Sequence, residues 1–103
     1  MSLRKTITTI LLYTITLAFS QNKVAFSKLT KNESGDYMYN NTLYSGESLL
    51  LWPSNNKPMQ RITWSNGKIH GSFKSWYENG KQNQDIQYLN GVRHGSFKTF
   101  YQN

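Results

Sequence analysis

The sequence predicts an all-β fold for its second half, an antiparallel meander with one hairpin per 24 residues. Three observations carry this expectation. Residues 66–79 read NGKIHGSFKSWYEN and residues 90–103 read NGVRHGSFKTFYQN, so Asn-Gly, His-Gly-Ser-Phe-Lys and Tyr return at an offset of 24. Trp52, Trp64, Trp76, Tyr88 and Phe100 recur every 12 positions, which divides each unit into two arms. Asn66-Gly67, Asn79-Gly80 and Asn90-Gly91 fall between those aromatics, and Asn-Gly accepts the positive φ that both central residues of a tight hairpin turn require.

At the N-terminus, Arg4 and Lys5 precede an apolar stretch from Ile7 to Leu17, and Ala18-Phe19-Ser20 places small residues at −3 and −1 before Gln21. This pattern predicts a signal peptide over residues 1–20 and export to the periplasm or the exterior of a bacterium. The stretch is short against the ~20 residues that span a bilayer. Residues 21–41 read as a partly ordered lead-in: Val24, Phe26 and Leu29 suit a short strand, residues 31–36 a turn, and Tyr37, Tyr39 and Leu43 one capping strand. Residues 42–65 form a degenerate first copy of the repeat, in which Trp52 aligns with Trp76, Leu49 with Phe73 and Lys57 with Lys81. Residues 66–89 are a full copy and residues 90–103 an incomplete one.

Within the strands, alternation sends Phe73, Ser75 and Tyr77 to one face and Lys74 and Trp76 to the other. The five aromatics of the 12-residue rhythm are expected to stack as a cross-strand ladder, each pair contributing roughly 0.2–1 kcal/mol. Whether that ladder is core or exposed depends on loop lengths that spacing leaves open. Gly71 and Gly95, two residues before Phe73 and Phe97, are expected to let a neighbouring ring or backbone approach closely. Gly67, Gly71, Gly80, Gly91 and Gly95, with Asn66, Asn79 and Asn90, are the structural positions of the repeat.

The pattern Asn-Gly-Lys-x-His-Gly-x-Phe-x-x-Trp-Tyr-x-Asn-Gly resembles the MORN repeat in its bacterial variant form, found also in YwqK-type antitoxin-like repeat proteins. The resemblance covers residues 42–103 and is most specific over 66–103. It implies an elongated single-layer antiparallel sheet of stacked hairpins, serving as a module that binds other proteins or lies against membranes.

The chain contains no cysteine, which excludes disulfides and thiolate metal sites. Beyond residue 20 it carries ten Lys or Arg (12 minus Arg4 and Lys5) against five Asp or Glu, a net charge of about +5. The cations are scattered, and no block of like charge marks a nucleic-acid arm. The excess suits an anionic partner, an envelope component or an acidic protein, with peripheral membrane contact as one form of it. It equally serves to keep an aromatic-rich sheet soluble and its edges unpaired, and self-association through those edges is the other contact the sequence allows. His70 and His94 occupy the same position in successive repeats, as duplicated structural residues do, and no third metal ligand is evident. Glu33, Asp36, Glu47, Glu78 and Asp85 show no paired spacing for acid–base work. The sequence predicts neither enzyme activity nor a cofactor. The expected function is an exported binding module whose contact residues are Trp76, Lys74, Phe100, Lys98 and Tyr88. The alternative is a polysaccharide-binding module in which exposed rings stack on sugars.

Overall fold

The two dipeptides Asn66-Gly67 and Asn90-Gly91 set the strand reversals on one side of the sheet. Their φ values are 49° and 82° for the first pair and 48° and 86° for the second, the two positive angles of a type I′ turn. The protein is described from a computed structural model covering residues 22–102, so the expected signal peptide over 1–20 lies outside the described residues. Within them the chain is all-β with antiparallel sheets, plus one turn of 3₁₀ helix at Phe26–Lys28.

The strands are β1 (Lys23–Ala25), β2 (Thr30–Lys31), β3 (Tyr37–Tyr39), β4 (Thr42–Leu43), β5 (Gly46–Leu51), β6 (Pro58–Ser65), β7 (Lys68–Trp76), β8 (Gln82–Leu89) and β9 (Val92–Thr99). One sheet has the order β1-β5-β6-β7-β8-β9, in which β5 to β9 are antiparallel neighbours and β1 pairs parallel with β5. The second is the small antiparallel sheet β2-β3-β4. The single capping strand expected over Tyr37–Leu43 is instead a hairpin, β3 and β4, because Asn40 and Asn41 both take positive φ, 51° and 64°.

Asn79-Gly80 departs from the type I′ expectation. Only Gly80 has positive φ (91°), Tyr77 N–H bonds Lys81 O at 2.8 Å, and Lys81 N–H bonds Asn79 Oδ1 at 2.9 Å. With three residues inside the closing pair, one left-handed residue suffices. The preceding loop is built alike but is one residue longer: Trp52 N–H bonds Lys57 O at 2.8 Å, Lys57 N–H bonds Asn55 Oδ1 at 2.9 Å, and Asn56 (φ 57°) stands in the place of Gly80. This extra residue shifts the first copy. Ser48, not Leu49, shares a cross-sheet row with Phe73, through Ile62.

Gly71 and Gly95 do not admit a close neighbour. A Cβ on Gly71 would lie 3.7 Å from Thr63, an ordinary contact, and one on Gly95 would meet nothing within 4 Å. Glycine is needed there for positive φ, 98° and 80°, beside irregularities in the β6–β7 and β8–β9 registers.

Registers carry one row straight across the sheet, Ser48 followed by the apolar Ile62, Phe73, Ile86 and Phe97. The segment from Phe26 to Tyr44, which follows β1, packs on the part of this face nearest β5 and β6. Leu29, Tyr44, Ile62 and Trp64 form the buried cluster, with Phe26, Tyr37, Ile69 and Phe73 against it. Burying each such side chain is worth roughly 1.5–3 kcal/mol. Tyr37 lies 4.7 Å centroid to centroid from Trp64, and Phe26 completes a three-ring cluster, 6.5 Å from Trp64 and 5.9 Å from Tyr37. Trp64 Nε1–H donates to the fully buried Ser48 hydroxyl at 2.8 Å, so neither polar atom is orphaned. The cap is pinned at the first Asn-Gly turn, where Tyr37 N–H bonds Gly67 O and Gly67 N–H bonds Tyr44 O, both at 2.8 Å. A Cβ on Gly67 would come within 2.9 Å of Tyr37 O. Close approach does require glycine here, and also at Gly46, where a Cβ would meet Asn22 O at 2.7 Å.

Candidate functional site

Opposite the apolar row, the same registers assemble a row of charge. Arg61 faces Lys74, Lys74 faces Asp85, and Asp85 faces Lys98, on the consecutive strands β6 to β9. Arg61 and Lys74 are like charges directly opposed, an unfavourable pair. Two contacts relieve it. Arg61 Nε lies 4.0 Å from Glu47 Oε1, and the guanidinium sits 5.9 Å from the centre of the Trp76 ring. Both are solvent-facing interactions, worth little individually. They do place Trp76 on the same face as Lys74 and Lys98.

Tyr88 is on the other face, its ring 6.1 Å from Phe73. Phe100 follows the end of β9. It is held by its backbone, with N–H to Asn83 O at 2.8 Å and O accepting the Tyr77 hydroxyl at 2.6 Å, while its ring is 41% exposed. Of the five expected contact residues, Lys74, Lys98 and Trp76 therefore share a face, Tyr88 does not, and Phe100 extends the sheet beyond its last strand.

The five-ring ladder does not form. Successive strands run in opposite directions, so a 12-residue spacing sends alternate aromatics to opposite ends of the sheet. Trp64 and Tyr88 lie late in β6 and β8, and Trp52, Trp76 and Phe100 at or just beyond the ends of β5, β7 and β9. Trp64 contacts Phe26 and Tyr37 instead, and Tyr88 contacts Phe73. Hydrogen bonds link the loops at the Trp52 end: Trp52 Nε1–H to Trp76 O at 3.2 Å, Asn55 Nδ2–H to Glu78 O at 2.9 Å, and Asn79 Nδ2–H to Gln102 O at 3.4 Å.

Sequence reasoning passed over Arg61 and Asp85, which join the charge row only through cross-strand register. It also passed over Leu89, Val92 and Phe97. All eight residues of β9 are exposed, Val92 at 68% and Phe97 at 48%, and among the described residues no strand pairs with its outer edge. Their signal was an apolar row continuing into the last strand. A further apolar groove of about 450 Å³ runs between β1 and the end of β5, lined by Val24, Ala25, Leu49 and Leu51.

No family model, curated protein or solved structure matches this chain.

The histidines part company. His70 Nδ1 accepts the Asn90 N–H at 3.1 Å and anchors the Asn90-Gly91 turn, whereas His94 is exposed on β9. Among the described residues no three His, Cys, Asp or Glu side chains come together as a metal cluster, and no helix is long and apolar enough to cross a membrane. Tyr44 has a displaced titration. Burial raises its phenol above the usual tyrosine value, with Glu47 and then Tyr39 adding to the effect.

Proposed function

We propose that the chain is an exported, non-catalytic MORN-like repeat protein that binds a protein or an anionic envelope component. Its contact face carries Arg61, Lys74, Lys98 and Trp76. The observation that carries this reading is the predominantly cationic row beside a half-buried indole, on a face that the cap leaves uncovered. The repeat part of the reading is supported by contacts that recur with a period near 24. Gly67 N–H to Tyr44 O is echoed by Gly91 N–H to Ile69 O at 2.7 Å, and Asn66 N–H to Ser45 Oγ by Asn90 N–H to His70 Nδ1. Export rests on the pattern of residues 1–20, and the non-catalytic reading on carboxylates whose spacing sets no two of them together for acid–base work.

The test is capture from an envelope extract by the chain and by its Lys74→Ala/Trp76→Ala variant. The variant should lose the captured partner and keep its strand circular dichroism. Equal capture by both would sink the assignment of this face. Quenching of tryptophan fluorescence by purified envelope glycans, with no protein captured, would transfer the protein to the polysaccharide-binding class.

A further inference from the structure

The open edge of β9 has a counterpart inside the same molecule. β7 and β9 carry the same His-Gly-Ser-Phe-Lys, residues 70–74 and 94–98, and each follows a type I′ Asn-Gly turn. The edge of β7 equivalent to the open edge of β9 is filled by β8. There Gly71 faces Tyr88, Ser72 faces Gln87, Phe73 faces Ile86 and Lys74 faces Asp85. The turn after β8 is held from β7 as well, with Asn90 N–H on His70 Nδ1 and Gly91 N–H on Ile69 O. β9 presents the equivalent set to solvent: Gly95, Ser96, Phe97 and Lys98, then the His94 ring and the Arg93 carbonyl.

We propose that β9 is a strand-addition site for an extended segment of another polypeptide with the chemistry of β8. That segment runs antiparallel to β9, with an acidic residue opposite Lys98, an aliphatic one opposite Phe97 and an aromatic one over Gly95. Main-chain hydrogen bonds along the edge supply affinity, and the alternate side chains supply selectivity. Charge decides the occupant. β9 carries Arg93 and Lys98 and no carboxylate, so a second copy of β9 laid against it brings like charges together. A segment carrying an Asp or Glu at that register continues the alternation of Lys74, Asp85 and Lys98. The Phe97 side chain, 48% exposed, is covered by the aliphatic neighbour as Phe73 is by Ile86. This proposal deepens the binding-module reading by naming the partner's chemistry, and rests on it.

The probe is a labelled peptide with the sequence of residues 82–91, which contains Asp85, Ile86, Tyr88, Asn90 and Gly91, titrated into the full chain by fluorescence anisotropy. Saturable binding is expected. Asp85→Lys in the peptide should weaken it about fivefold, as should Lys98→Glu in the protein, and combining the two should restore it to within about twofold. The peptide-side reversal leaves the protein unaltered, so its effect cannot come from misfolding. Absence of saturation up to about 1 mM, or reversals whose effects simply add, overturns the proposal. A mass that doubles with concentration in light scattering, and is driven back by the peptide, overturns the choice of occupant in favour of a second copy. A chain that captures an envelope partner yet ignores the peptide sinks this proposal alone. One that takes the peptide yet captures nothing sinks the face-wide reading and leaves this one standing.

Discussion

Trp52 donates its indole N–H to the backbone carbonyl of Trp76, 3.2 Å away and 24 residues further along the chain. Two rings whose spacing suggests stacking are thus joined by a polar bond between consecutive loops. Trp52→Phe keeps the apolar bulk and removes the donor. It should lower the free energy of unfolding by about 1 kcal/mol, read as a lower urea midpoint at unchanged slope.

The Trp64–Ser48 bond is the buried counterpart, and its loss should be larger. Trp64→Phe strands the Ser48 hydroxyl, 2% exposed, without a partner, at a cost of about 1–3 kcal/mol beyond any loss of packing. Adding Ser48→Ala should return part of that loss. Strictly additive costs in urea unfolding would show that the hydrogen bond does not couple the two residues.

Tyr44 makes stability depend on pH at the alkaline end. Its phenol is 4% exposed and donates to Glu47 O at 2.7 Å. Because the folded state raises its titration above that of the unfolded chain, the neutral form contributes stability fully below about pH 10. That contribution is lost as pH rises through the raised value. The thermal midpoint should fall with pH above 10, and Tyr44→Phe should flatten that part of the curve.

Glycine at the β7 irregularity and glycine in the β7–β8 loop should respond differently to replacement. Gly71→Ala has room for its methyl but not the backbone preference, and should cost about 1–2 kcal/mol in the left-handed region. Gly80→Asn should cost only a few tenths of that, because Asn56 already holds the same place in the preceding loop at φ 57°. Thermal melts of the two variants compare the pair directly. A Gly80→Asn loss as large as that of Gly71→Ala would refute the equivalence of the two loops.

The Asn66-Gly67 and Asn90-Gly91 turns and the all-β class were legible in the sequence because Asn-Gly acts locally: Asn66-Gly67 needs no tertiary partner to choose its φ values. The aromatic ladder was not legible. A 12-residue rhythm fixes distance along the chain, while strand reversal assigns Trp52 and Trp64 to opposite ends of the sheet. Leu49 took the place of Ser48 in the alignment because the loop from Trp52 to Lys57 has one residue more than its successor. That single residue exchanges the faces that the alignment assigns to the side chains of β5. Lys74 and Trp76 were found together through simple alternation. Arg61 and Asp85 joined them only through registers, which depend on the irregularities near Gly71 and at Ser75/Trp76.

The two margins of the large sheet are unlike. On one, β1 lies alongside β5, while the cap above is fastened at Gly67 and by the Lys68–Asp36 ion pair at 2.7 Å. On the other, β9 repeats the surface that β7 offers to β8. Lengthening of this architecture by duplicating a 24-residue unit therefore has a direction. A new copy placed next to β9 meets a ready template, and one placed next to β5 must first displace β1. The molecule is built like a ruled page bound along one margin, to which lines are added only at the free side.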